Sequence, residues 1–353
     1  MSRLRFMIRK TVSICVKKVL ISSAAVLSIA AGAHVAAAEV NIYSAREENL
    51  IKPILDLYTE RTGTRINLIT GGADELIKRL ELEGLNSPAD LLLTVDVGRL
   101  LRAKDADLLK AVDSEILENV IPAQYRDSDG YWYGVSLRSR VIVYDKARVD
   151  PAQLSTYEAL ADPKWAGKIC VRSSTNIYNQ SLTAAMVSQN GVEATEQWAR
   201  GLVANLARNP QGGDRDQITA IAAGQCELAL VNTYYLAGML KSTVGNDKRT
   251  AESVGVFWPN QQDRGAHINI SGAGVTKSAK NTDAAIALLE FMVSEEAQRW
   301  YADTNDEFPV RAGVPASDIL QSWGEFKADD IPLEQLGIHN ADAVRLMDRA
   351  GWK

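Results

Sequence analysis

Two adjacent tyrosines end the segment Leu230-Val-Asn-Thr-Tyr-Tyr235, just past an apolar run that reads as a strand. A third, Tyr178, closes Arg172-Ser-Ser-Thr-Asn-Ile-Tyr178, again just past a strand pattern. Segments at the carboxyl ends of strands are where α/β proteins build their sites. Neighbours on a strand face opposite ways, whereas neighbours on a loop or a helix start can converge. A phenol has a pKa near 10, so it ionises at neutral pH only beside a strong positive charge. A hard trivalent cation supplies one. Oxygen donors match Fe(III) better than Zn(II) or Cu(I), which take imidazole or sulfur. Three phenolates would neutralise such an ion and leave its other positions to water or an exogenous anion. An anion needs a cationic cradle. Arg46, just past the first strand, and Arg138 and Arg140 in Ser136-Leu-Arg-Ser-Arg140 are the candidates. The competing reading is packing alone, with each buried hydroxyl satisfied by one hydrogen bond.

Other chemistries find less support. The sequence holds no G-x-S-x-G, no Walker loop, no G-x-G-x-x-G and no H-E-x-x-H. Past residue 38 it has two histidines, His267 and His339, and two cysteines. A His-rich zinc site cannot be built from these, and a structural zinc site is improbable. An exported hydrolase would have to use His267 or His339. Carboxylates are plentiful, but no feature singles out a catalytic pair.

The ends of the chain differ in character. Residues 1–38 carry Arg3, Arg5, Arg9, Lys10, Lys17 and Lys18 and no acid, then an Ala-rich apolar run from Val19 to Ala33, then Ala36-Ala37-Ala38 before Glu39. This is the layout of a cleaved secretory signal. The alternative, a membrane anchor, is disfavoured by a run near the minimum span and only weakly hydrophobic. Cys15 precedes two lysines, which is not a lipid-attachment context. Without the six basic residues of this segment, 33 basic residues face 44 acidic ones, a net of −11. Such a chain is a poor partner for nucleic acid or an anionic membrane surface. The expected mature protein is soluble, periplasmic and monomeric. In an oxidising compartment Cys170 and Cys226 can form one disulfide, worth roughly 4 kcal/mol by loop entropy. Two separate buried thiols are the alternative.

The elements that position the tyrosines follow from periodicity. Strands are predicted over residues 39–43, 65–70 and 90–94, with helices over 48–62 and 75–83 between them. Alternation of this kind within 60 residues means parallel βαβ units. Further on, strands are predicted over 134–145, 168–172, 227–231, 254–258 and 267–270. Helices are predicted over 178–189, 193–207, 217–223 and, as one long element, 283–303. No loose linker separates domains across the 353 residues. The expected architecture is two α/β lobes facing a ligand cleft, joined by strands that cross between them.

Seven ordered segments make the chain resemble the periplasmic ferric-iron-binding proteins, the solute-binding components of iron(III) ABC transporters. They are Asn41-Ile-Tyr-Ser-Ala-Arg-Glu-Glu48, Ser87-Pro-Ala-Asp-Leu-Leu-Leu-Thr-Val-Asp96, Tyr131-Trp-Tyr-Gly-Val-Ser-Leu-Arg-Ser-Arg-Val-Ile-Val-Tyr144, Asp162-Pro-Lys-Trp-Ala-Gly-Lys-Ile-Cys-Val-Arg-Ser-Ser174, Asn176-Ile-Tyr-Asn179, Asn232-Thr-Tyr-Tyr235 and Phe308-Pro-Val-Arg311. The resemblance implies a two-lobe type II periplasmic-binding-protein fold with two hinge strands. The expected lobes are 39–137 with 262–311, and 138–261 with 312–353. It also implies Tyr178, Tyr234 and Tyr235 as iron ligands, and a synergistic anion, carbonate or bicarbonate, held by Arg46, Arg138 and Ser136. Where some relatives carry a histidine or a His-Tyr pair, this chain has Glu47 and Glu48, which are possible extra ligands. Where some carry a glutamate, it has Val95. The implied partner is an inner-membrane ABC permease. Release would follow from lobe opening, anion loss, phenolate protonation or reduction. The alternatives are a binding protein for an organic or anionic solute held by the arginines and, more remotely, the hydrolase.

Overall fold

The computed structural model describes residues 38–353. The expected signal segment and Cys15 lie outside these residues. Eight strands follow in order: β1 (Glu39–Ser44), β2 (Arg65–Thr70), β3 (Leu91–Val95), β4 (Tyr133–Asp145), β5 (Ile169–Cys170), β6 (Leu228–Asn232), β7 (Val254–Phe257) and β8 (Ile268–Val275). They join in the order β2-β1-β3-β8-β4-β6-β5, with β7 also on β4. β1 pairs in parallel with both β2 and β3, so the predicted βαβ units are present. Among the described residues, no helix is long and apolar enough to cross a membrane.

β4 explains the two-lobed form. Its first half, from Tyr133 to Ser139, pairs with β8, and its second half pairs with β6 and β7. Tyr133, Val135 and Leu137 accordingly enter one core with Ile42, Leu93 and Leu289. Ile142 enters a second core with Trp165, Trp198 and Leu230, and Val141 and Val143 enter a third with Ile218 and Val231. One 13-residue strand thus belongs to two sheets, and its first eleven positions are buried. The chain returns between β7 and β8, and the C-terminal stretch crosses between the lobes again. The C-terminal stretch divides its apolar residues. Leu333 and Leu336 join the first core, and Leu346, Met347 and Trp352 the second.

Several predicted elements are corrected. The long helix is two, Thr282–Met292 and Glu295–Asn305. Ser294 separates them, its hydroxyl accepting from the Ala297 amide as an N-cap. The strand at 168–172 is only two residues long. The Asn179 side-chain amide donates to the Arg172 and Ser173 carbonyls at 2.9 and 3.1 Å, diverting them from any ladder. β8 runs on to Val275 through Gly272 and Gly274, where a Cβ would stand 2.8 Å from the Tyr133 carbonyl and 2.6 Å from that of Tyr131. The two helices predicted between 178 and 207 are both present; they run end to end over Ile177–Ala204 and are separated by a kink at Gly191, where φ is 79°. Cys170 and Cys226 are joined as a disulfide, their Cα atoms 5.9 Å apart.

Candidate metal centre

All three tyrosines lie in the first turn of a helix. Asn176 caps the Ile177–Ala204 helix, its side-chain oxygen accepting from the Tyr178 amide at 3.2 Å. Tyr234 and Tyr235 occupy the second and third positions of the Thr233–Lys241 helix, which starts where β6 ends. The turn from strand to helix lets the neighbours converge, with ring centroids 4.3 Å apart. The Tyr234 hydroxyl donates to the Tyr178 oxygen at 3.2 Å. All three line one cavity of about 760 Å³ together with Arg46, Glu47, Val95 and Glu307. Helix N-termini carry partial positive charge, which favours an anionic oxygen.

Tyr234 and Tyr235 resist ionisation in the metal-free protein. Burial, then the neighbouring Tyr178 and Tyr235, push Tyr234 well above its ordinary value, against the pull of Arg138. Burial, Tyr178 and Asp214 raise Tyr235 in the same way. Only a cation placed among the oxygens would turn this cluster into phenolates. Among the described residues, no group of three or more His, Cys, Asp or Glu side chains is placed to hold a metal. The phenols are therefore the donor set on offer.

The cationic residues divide into used and free. Arg140 is committed: its guanidinium donates to Asp214 at 3.2 Å, Asn232 at 3.1 Å, Asn179 at 2.7 Å and the Leu230 carbonyl at 3.2 Å. Arg138 is as deeply buried, yet its one hydrogen bond is to Ser271 Oγ at 3.4 Å, with Nη2 3.9 Å from the Asp96 carboxylate. Its Nε and Nη2 have no hydrogen-bond partner among the described residues. Its Cζ lies 5.5 Å from the Tyr178 ring centroid. Arg46 is buried and forked onto Glu307 at 3.0 and 3.1 Å. Burial works against its charge, but Glu307, helped by Tyr301 and Tyr234, more than compensates and raises its pKa. Ser136 faces Ser271 across the β4–β8 pairing, and its buried hydroxyl has no partner among the described residues. Glu47 is exposed and lines the cavity; Glu48 is exposed in the turn Glu48–Leu50 and does not.

Sequence reading missed two members of this neighbourhood. Arg172 also lies by Tyr178, its Cζ 5.5 Å from the ring centroid, and pairs with Asp214 at 3.0 Å. Its place at the start of the tyrosine-bearing loop was the available signal. Glu307 follows Asp306, whose left-handed φ of 53° turns the chain after the Glu295–Asn305 helix. No local pattern announces it. His267 offers nothing to a hydrolase: burial, with Arg140 and Arg138, lowers its pKa to about 3, far from the range of a neutral-pH acid or base. His339 follows the Glu334–Ile338 helix and is not among the cavity's lining.

The model of the family described as bacterial extracellular solute-binding protein matches residues 86–327. Iron uptake protein A1 of Synechocystis is 50% identical over 315 residues, 89% of this chain and 88% of its own. The Fe(3+)-binding periplasmic protein of Serratia marcescens is 31% identical, over 92% of this chain and 94% of its own. A Trichodesmium protein solved with iron and citrate ligands superposes with a TM-score of 0.86 at 48% identity, covering 89% of this chain and 100% of that one. The crossing strand, the cleft between two cores and these matches together place the chain in the bacterial extracellular solute-binding protein family, with the type II periplasmic-binding-protein fold.

Proposed function

We propose that the protein binds Fe(III) in the periplasm through Tyr178, Tyr234 and Tyr235 and delivers it to an inner-membrane ABC permease. One observation carries this reading: three phenols from two helix starts converge on a cavity in which no other metal-donor cluster is found among the described residues. The names of the Synechocystis and Serratia relatives support it. A synergistic anion, carbonate or bicarbonate, completes the site beside Arg46, Arg138 and Ser136. Glu47, which lines the cavity, is favoured over Glu48 as any further ligand. The lobes, 39–137 with 262–311 and 138–261 with most of 312–353, open and close about the crossing segments, Leu333 and Leu336 belonging to the first core. Iron shifts that equilibrium by its differential affinity for the two states. The protein works as a monomer and has no nucleic-acid partner.

The test is a visible absorbance titration of the protein with Fe(III), with and without bicarbonate, beside Tyr178→Phe and Tyr235→Phe. A phenolate-to-iron charge-transfer band that saturates at one equivalent and weakens in both variants is expected. No band at any iron level would sink the reading. A second reading, an organic anion held by the arginines, is favoured by the unpaired Arg138 donors and by a cavity larger than one ion needs. It predicts anion binding that survives loss of all three phenols. Citrate belongs in that assay, since the Trichodesmium structure contains it.

A further inference from the structure

Arg46 has five N–H donors, and the structure accounts for three of them. Nη1 donates to Ser271 Oγ at 2.8 Å and to Glu307 Oε1 at 3.0 Å, which uses both of its protons. Nη2 donates to Glu307 Oε2 at 3.1 Å, which uses one. Nε is buried and has no partner among the described residues. The unspent donors are therefore Nε–H and one Nη2–H. They lie parallel along a single edge of the planar guanidinium. Such an edge matches two oxygens of one oxyanion. Arg46 and Glu307 are 4% and 3% exposed, so the fork between them is held away from water.

From this arrangement we infer that Glu307 is a positioning residue for the anion. Its end-on fork, with Ser271 on the flank, fixes the Arg46 plane and leaves the Nε–Nη2 edge for a bidentate oxyanion of the carbonate class. Fixing the plane removes rotamer freedom that an anion would otherwise have to restrict on binding. The fork also neutralises Arg46. At Arg46 the anion is then held by oriented hydrogen bonds rather than by an unbalanced charge of that pair. On its other flank Ser271 links Arg46 to a second buried guanidinium, since its Oγ also accepts from Arg138 Nη1 at 3.4 Å. The inference rests on the iron reading above.

The experiment is a double-mutant cycle over Glu307→Gln and Arg46→Gln. Iron is supplied as a weak chelate, and the readout is the bicarbonate concentration giving half of the charge-transfer band. Glu307→Gln is expected to raise that concentration by about tenfold or more, with the iron stoichiometry unchanged. In the Arg46→Gln background the same change should have no further effect. The double variant replaces both members of a buried ion pair with neutral groups, so it keeps the cycle readable if Glu307→Gln alone fails to fold. In that case the double variant should match Arg46→Gln. Wild-type bicarbonate dependence in Glu307→Gln would overturn the role of Glu307 alone. An effect that persists without Arg46 would make Glu307 a metal ligand and overturn it equally. Absence of any band in the wild type would instead overturn the iron reading.

Discussion

Iron affinity should climb steeply with pH. A phenol carries its proton at neutral pH. In this protein burial and mutual proximity push Tyr234 and Tyr235 further in that direction. Binding as phenolate therefore expels a proton from each ligand. The free state holds more protons than the bound state, so low pH favours the free state and affinity is lost as pH falls. Three ligands make the dissociation constant change by about three log units per pH unit, about 4 kcal/mol. The slope flattens only as pH approaches the raised phenol values. The assay is competition against a chelator of known protonation behaviour across roughly pH 6 to 8, corrected for that behaviour. A pH-stat measurement of protons released per iron, at fixed bicarbonate, is its independent partner. Tyr178→Phe and Tyr235→Phe should each remove about one proton and about one log unit of slope. A corrected slope near zero at full occupancy would refute the reasoning, because no phenolate could then have formed.

Two further outcomes are expected. Replacing Cys170 and Cys226 together with serine opens a loop of 56 residues and should lower unfolding free energy by ~4 kcal/mol. The urea midpoint reports this, and iron stoichiometry should not change, since neither cysteine lines the cavity. Replacing Arg140 with methionine strands one side of the buried Asp214, which then keeps only Arg172. A loss of about 3–5 kcal/mol is expected; a melting temperature within error of wild type would show that Asp214 does not need both arginines.

The tyrosines were legible because their chemistry is unusual in a histidine-poor chain and because strand ends announce sites. β1, β2 and β3 were legible for a plainer reason. β1 and β2 alternate, β3 is a short apolar run, and amphipathic helices stand between them in one short stretch. Glu307 was not legible, since it reaches Arg46 from 261 residues away through a turn at Asp306 that has no sequence signature. Glycines concealed the far half of β8. Gly272 and Gly274 suggest a loop by composition, yet they stand in the sheet because its neighbours leave no room for a Cβ. The break at Ser294 was hidden by the apolar periodicity that continues on both sides of it. The helix cap there outweighs that periodicity.

The charges around Tyr178 tie the anion to the oxidation state of the metal. Arg140 and Arg172 share Asp214, and Arg138 lies 3.9 Å from Asp96. Three arginines against two carboxylates leave one positive charge. Arg46 and Glu307 cancel. In the proposed complex, three phenolates turn that balance to two negative charges. A divalent ion would close it alone. A trivalent ion overshoots by one, which either a singly charged anion or the Glu47 carboxylate at the cavity wall would restore. In a partly buried cleft each unbalanced charge is costly. In the proposed complex the same donors would therefore call for one further negative charge with Fe(III) and have less reason to hold one with Fe(II). Reduction would weaken the phenolate bonds and the anion's hold together. Because the buried phenols regain their protons readily, each step of release makes the next easier.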